Sequence, residues 1–162
     1  MKTVLIVYHS QYEGNTRKAA RLVARGCAGI PGVSVRLYDV HRERVPIGAV
    51  ERADGLALGS PDYFTYIAGD LKQFFDDLKI AEWAGRKVTG KPCVCFLTHG
   101  GGGGGIRSLN YLAEHAGFTR VAKSLVCEGA PSGKAAEKAM ALGRALAEAV
   151  LRGKRARRGR KP

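Results

Sequence analysis

Apolar, strand-like runs and amphipathic, helix-like stretches alternate along this chain, and no other feature restricts its fold as strongly. Thr3-Val-Leu-Ile-Val-Tyr8 is a continuous apolar, β-branched run, the mark of a strand covered on both faces. Asn15 to Ala28 follows with Ala19, Val23 and Cys27 at four-residue spacing, an amphipathic helix. Val33 to Val40, Gly55 to Gly59, Pro92 to Thr98 and Arg120 to Cys127 read as four more strands. Between them come a short helix near Ala49 to Ala53 and one with Leu71, Phe74, Phe75 and Leu78 at i, i+3, i+4, i+7. A further helix buries Ile106, Leu109, Ala113 and Ala116, and Lys134 to Leu151 is an alanine-rich last one. Five strands in such alternation predict an α/β fold, a parallel sheet with helices on both faces. Cys27, Cys93 and Cys95 are expected as small core residues, with Cys93 and Cys95 on opposite faces of the fourth strand.

Ligands of such sheets bind beyond the carboxyl ends of the strands, where strand order reverses. The loops after strands one, three and four therefore matter most, and the unusual residues fall there. The first, His9-Ser10-Gln11-Tyr12-Glu13-Gly14-Asn15-Thr16, opens directly into a helix. A helix start presents unpaired N–H groups and the positive end of the dipole, which suits an anion. Ser10, Asn15 and Thr16 add neutral donors, Gly14 permits close approach, and Arg17 and Lys18 reinforce the field. The Lys-Ser/Thr ending and longer spacer of a nucleotide P-loop are missing, so a phosphate monoester fits better. Simple N-capping by Asn15 or Ser10 is the structural alternative. His9 adjoins this loop, whereas His41 and His115 read as surface residues.

The second loop, Gly59-Ser60-Pro61-Asp62-Tyr63-Phe64-Thr65-Tyr66, holds three aromatics within four residues. They suit the wall of a flat conjugated ligand, or else a hydrophobic cap on the next helix. The third loop is Thr98-His99 followed by six consecutive glycines, Gly100 to Gly105. Any glycine run contains G-x-G-x-x-G, and the dinucleotide fingerprint normally follows the first strand, so that reading is set aside. Backbone laid flush against a planar ligand is the better physical account, with a flexible linker as the alternative. His99 is a candidate proton donor, or merely a cap for the loop.

A chain of 162 residues with 45% hydrophobic and 25% charged residues suits one folded domain and excludes wholesale disorder. Four cysteines without a CxxC pair do not make a disulfide scaffold, which points to a reducing, cytoplasmic setting. No His, Cys or carboxylate set has metal-ligand spacing, so no metal is expected. The net charge of +13 is uneven: residues 152–162 hold seven basic and no acidic residues, against 20 basic and 14 acidic in 1–151. The chain thus divides into a domain over 1–151 and a basic, disordered tail over 152–162. Read functionally, the tail would make this a nucleic-acid- or membrane-associated module without a cofactor. No aromatic is interleaved there to stack on bases, which argues against nucleic acid.

Taken together and in this order, the three loops resemble those of the flavodoxin-like family of FMN-binding proteins. The resemblance rests on Tyr8, Ser10 and Gly14-Asn15-Thr16, on Gly59-Ser60-Pro61-Asp62-Tyr63-Phe64 with Ala68-Gly69, and on Thr98-His99-Gly100-Gly101, and covers roughly 1–150. It implies a three-layer α/β/α sandwich around a five-stranded parallel sheet of order 2-1-3-4-5. It also implies FMN as cofactor: Ser10, Gln11, Gly14, Asn15 and Thr16 around the phosphate, Ser60, Pro61, Asp62, Tyr63 and Phe64 beside the isoalloxazine, and Thr98, His99, Gly100 and Gly101 at its pyrimidine edge. The activity implied is electron transfer between a reductant and an acceptor, with an NAD(P)H-dependent quinone or flavin reductase as the alternative. Partners would be a redox protein, or NAD(P)H and a small acceptor; a homodimer is compatible with the family. The basic body and the lack of a glycine in Ser60-Pro61-Asp62-Tyr63 both weaken a plain electron-carrier reading.

Overall fold

The first apolar run becomes an inner strand: β1 (Lys2–Tyr8) pairs in parallel with β2 (Val33–Asp39) on one side and β3 (Gly55–Pro61) on the other. β3 pairs in parallel with β4 (Pro92–His99). The computed structural model describes residues 1–158. Its sheet order, β2-β1-β3-β4-β5, is the expected one. The expected fifth strand, Arg120 to Cys127, is instead two strands on the same edge of β4, β5 (Thr119–Arg120) and β6 (Leu125–Glu128). Between them the chain leaves the ladder, and there the Ser124 side chain bonds two others. The Ser124 hydroxyl donates to Asn110 Oδ1 at 2.7 Å and accepts from Arg120 at 3.4 Å.

Five helices complete the layers: α1 (Asn15–Ala28), α2 (Ile47–Arg52), α3 (Gly69–Trp83), α4 (Gly105–His115) and α5 (Gly133–Arg158). α2 starts earlier than its apolar residues suggest, directly after Pro46. α5 runs past Leu151 to Arg158, so the basic segment expected to be disordered continues a helix through seven residues. Its Arg, Lys and Ala residues are strong helix formers. The remainder of that segment, 159–162, lies outside the described residues.

Strand residues alternate between two cores. Val4, Ile6, Ala57, Val94 and Phe96 pack with Ala19, Val23, Cys27, Leu146 and Val150 of α1 and α5. Leu5, Val7, Leu56, Leu58, Cys93 and Cys95 face α3 and α4 through Leu71, Phe74, Leu78 and Leu109. Cys93 and Cys95 thus share one face, which corrects the expectation of opposite faces: residues two apart on a pleat point the same way. All four cysteines are buried and free. Because the strands are parallel, the carboxyl ends of β1, β3 and β4 meet at one edge, with the starts of α1 and α4 beside them.

Candidate functional site

A cleft of about 310 Å³ opens at that edge, walled by the three loops. From the first loop come Gln11, Tyr12, Glu13, Gly14, Asn15 and Thr16; from the second Pro61, Asp62 and Tyr63; from the third Thr98, His99 and Gly100, joined by Gly129 after β6. Of the fourteen residues singled out in the sequence, Ser10, Ser60, Phe64 and Gly101 do not line it. A larger hollow of about 590 Å³ lies by the broken fifth strand, remote from these loops.

The first loop is built around the start of α1. Gly14, the residue before α1, takes a left-handed conformation (φ 73°) and has no side chain of its own to cap the helix. A Cβ at Gly14 would meet only Arg17 Nη1, at 3.6 Å, so the space before the helix start is open. Ser10 lies beneath: its Oγ accepts from Arg17 N–H at 3.1 Å, which leaves its own proton to donate. Thr16 Oγ1 and Thr98 Oγ1 bond at 2.7 Å in the interior and join the first loop to the third. Arg17 does not add charge to the site as expected. Its guanidinium turns to Asp39 Oδ2 at 3.1 Å. Asp39, which the sequence reading passed over, is buried and organises the loop, since its Oδ1 accepts from Ser10 N–H at 3.2 Å.

The second loop is a two-residue hairpin turn. Tyr63 and Tyr66 exchange both backbone hydrogen bonds at 3.0 Å, and Phe64 and Thr65 between them have φ of 55° and 61°. Positive φ at both positions suits Asn-Gly far better than Phe-Thr. The turn is thereby strained and holds Phe64 fully exposed at its tip, out of the cleft. Ser60 braces the loop from inside, donating to Pro61 O at 2.7 Å and accepting from Ala68 N–H at 2.9 Å. Replacing Phe64-Thr65 by Asn-Gly is expected to raise stability by about 1 kcal/mol, or Tm by about 3 °C in thermal unfolding. An unchanged or lowered Tm would show that the turn is not under strain.

The glycine run divides into two functions. A Cβ at Gly100, Gly101 or Gly102 would meet nothing within 4 Å, so this stretch forms an open rim. A Cβ at Gly103 would lie 2.8 Å from Val126, at Gly104 2.4 Å from Thr65, and at Gly105 2.8 Å from Tyr66 O. The second half therefore exists to pack α4 against the aromatic turn. Gly105 N–H also donates to Asp62 Oδ2 at 3.3 Å. In the cleft walls, Asp62 Oδ1 and His99 Nδ1 are buried without a hydrogen-bond partner. Burial, followed by the Glu128 carboxylate, pushes the Cys127 thiol pKa up, so this cysteine beside the third loop is held as a thiol.

His9 is 3% exposed, and desolvation lowers its pKa although Gln11 and Asp70 pull the other way. Its Nε2 bonds Gln11 Oε1 at 2.9 Å. His41 and Asp70 stand beside it, a grouping that residue spacing cannot reveal because the three come from the loop after β1, the segment after β2, and α3.

Comparison with known proteins adds the following. The family described as NADPH-dependent FMN reductase matches residues 46–126. The chain is 39% identical over 105 residues to a protein named flavodoxin from Aquifex aeolicus (strain VF5), covering 65% of this chain and 54% of that one. It is 29% identical over 135 residues to the quinone-oxidoreductase QR2 of Triphysaria versicolor, covering 69% and 65% respectively. The chain thus spans less than two thirds of either relative. Among solved structures, a flavodoxin from the domain Archaea superposes with a TM-score of 0.81 at 22% identity, covering 92% of this chain and 99% of that one. By fold and by sequence match, the chain belongs to the NADPH-dependent FMN reductase family, a flavodoxin-like family whose cofactor is FMN.

Proposed function

We propose that the chain holds FMN in this cleft and passes electrons between a reductant and an acceptor. The observation that carries this reading is the convergence of the loops after β1, β3 and β4 on one edge of the sheet, beside the open start of α1. The residues fit the group. Neutral donors at the α1 start suit a phosphate, and the unpartnered Asp62 Oδ1 and His99 Nδ1 suit the polar edge of a heteroaromatic ring. In this reading Gln11, Gly14, Asn15 and Thr16 hold the phosphate, and Ser10, expected there too, braces the loop from beneath. Pro61, Asp62 and Tyr63 flank the ring, while Thr98, His99 and the open rim at Gly100 and Gly101 meet its pyrimidine edge. Ser60 supports the loop from behind and Phe64 stands outside it. The flavin supplies the redox chemistry; the protein supplies orientation, stacking and local field. The free, buried cysteines favour a reducing compartment such as the cytoplasm.

A second reading, an NAD(P)H-dependent quinone or flavin reductase, is favoured by the family match and by the basic body, which would attract a pyridine nucleotide's phosphates. Mixing the FMN-loaded protein with NADPH in anaerobic stopped flow separates the two. A carrier is expected to keep its yellow colour with NADPH and lose it only to dithionite or a reductase partner. Bleaching by NADPH alone would establish the reductase. Protein that stays colourless after incubation with FMN would overturn both.

A further inference from the structure

Outside the cleft wall, one cluster brings three possible metal-ligand atoms close together. His9 Nδ1 and His41 Nδ1 each lie 3.2 Å from the same oxygen, Asp70 Oδ2. One donor atom from each residue falls within 4.8 Å of the others. We propose that His9, His41 and Asp70 form a binding site for a single Zn2+ ion, completed by solvent at the open fourth position.

Both histidine–aspartate spacings, 3.2 Å each, match a tetrahedral edge. Ligand bonds of about 2.0–2.1 Å place neighbouring donors about 3.3 Å apart around Zn2+. Two nitrogens and one carboxylate oxygen select a borderline ion of this kind over Mg2+ or Ca2+, which take all-oxygen shells. The inner histidine gives the independent sign. His9 is 3% exposed, yet its Nδ1 has no hydrogen-bond partner. Its Nε2 faces the amide oxygen of Gln11 at 2.9 Å, an atom that only accepts. The ring proton therefore sits on Nε2, and Nδ1 presents a bare lone pair to the cluster. A histidine oriented by a hydrogen bond from its far nitrogen is the usual form of a metal ligand.

The remaining ligands are held independently of the ion and can be reached by it. His41 N–H donates to Asp39 Oδ1 at 3.2 Å, and Asp70 occupies the first turn of α3. The His41 and Asp70 side chains are 44% and 50% exposed, which leaves an entry path and room for a water ligand. Ion binding would replace the present His41–Asp70 hydrogen bond. It would also pin the loop after β1, the segment after β2, and α3 together around Gln11, the residue this site shares with the cleft. The proposal needs nothing from the flavin reading, since its donors belong to the protein alone.

Equilibrium dialysis of the full-length chain against Zn2+ near 10 µM, with and without FMN, is the test. One ion per chain is expected, and Co2+ in its place should give the intense visible bands of a four-coordinate site. Because His41 and Asp70 are half exposed, His41→Ala and Asp70→Asn should fold normally while lowering Zn2+ affinity at least about tenfold. His115→Ala, on the far end of α4, should leave it unchanged. The proposal is overturned if no Zn2+ is retained, if retention survives His41→Ala, or if His115→Ala abolishes it as well.

Discussion

Changing Asn15 to aspartate should lower FMN affinity about 100-fold while leaving the protein as stable as before. Position 15 is the first residue of α1, behind a glycine cap, and Ser10 Oγ partners only the Arg17 amide of the first turn. A carboxylate there would complement the dipole, a gain of about 0.3–1 kcal/mol, offset by losing the bond that Asn15 Nδ2 donates to Glu13 Oε2 at 3.1 Å. The same carboxylate would face an incoming phosphate within a few ångströms. At surface-like dielectric, that repulsion is worth about 3 kcal/mol, or about two orders of magnitude in affinity. Little offsets it, because Arg17 is committed to Asp39. Titration by flavin fluorescence quenching gives the affinity, and thermal unfolding the stability. Riboflavin, which lacks the phosphate, serves as the internal control: its weaker binding should not change. An equal loss for FMN and riboflavin would mean that the phosphate does not lie at the start of α1.

Much of this architecture could be read from the chain because parallel sheets impose a strong pattern. Buried strands such as 3–8 and 92–98 are apolar throughout, and topology then dictates which loops share an edge. Ten of the residues named from those loops line one cleft for that reason. The four that do not show what a pattern leaves out. Ser60 and Ser10 have the right chemistry but face inward, toward Ala68 N–H and Arg17 N–H, and no spacing rule distinguishes a hydroxyl that binds a ligand from one that binds its own loop. Phe64 is carried outward by a left-handed turn that its residue type disfavours. Asp39 looked like an ordinary strand end, and its bond to Ser10 N–H spans 29 residues. The histidine–aspartate cluster was invisible for the same reason, since a sheet can gather residues from three segments without any periodic trace.

Gly143→Ala should cost about 3 kcal/mol, even though alanine is the better helix former. α1 and α5 touch backbone to backbone at two glycines. A Cβ at Gly143 would lie 2.0 Å from Val23 O and 2.9 Å from Cys27 N, and one at Gly26 would lie 2.0 Å from Met140 O. Cys27 Sγ already donates to Gly143 O at 3.1 Å across the same contact. Main-chain atoms cannot rotate aside as a side chain would, so the helices must part by more than an ångström or shift along one another. Either movement loosens the core shared by Val23, Cys27, Leu146 and Val150. Overpacking of this kind costs about 1–3 kcal/mol or more, against a helix-propensity gain of about 1 kcal/mol. Gly153 in the same helix supplies the control, because a Cβ there meets nothing within 4 Å and only the propensity gain applies. Urea unfolding should therefore show Gly143→Ala strongly destabilised and Gly153→Ala neutral or slightly stabilised. Since α1 carries Asn15 and Thr16 at its other end, residual folded Gly143→Ala protein should also bind FMN more weakly. If the two alanine variants unfold at the same urea concentration, the close approach of α1 and α5 is not what holds this face of the sheet together.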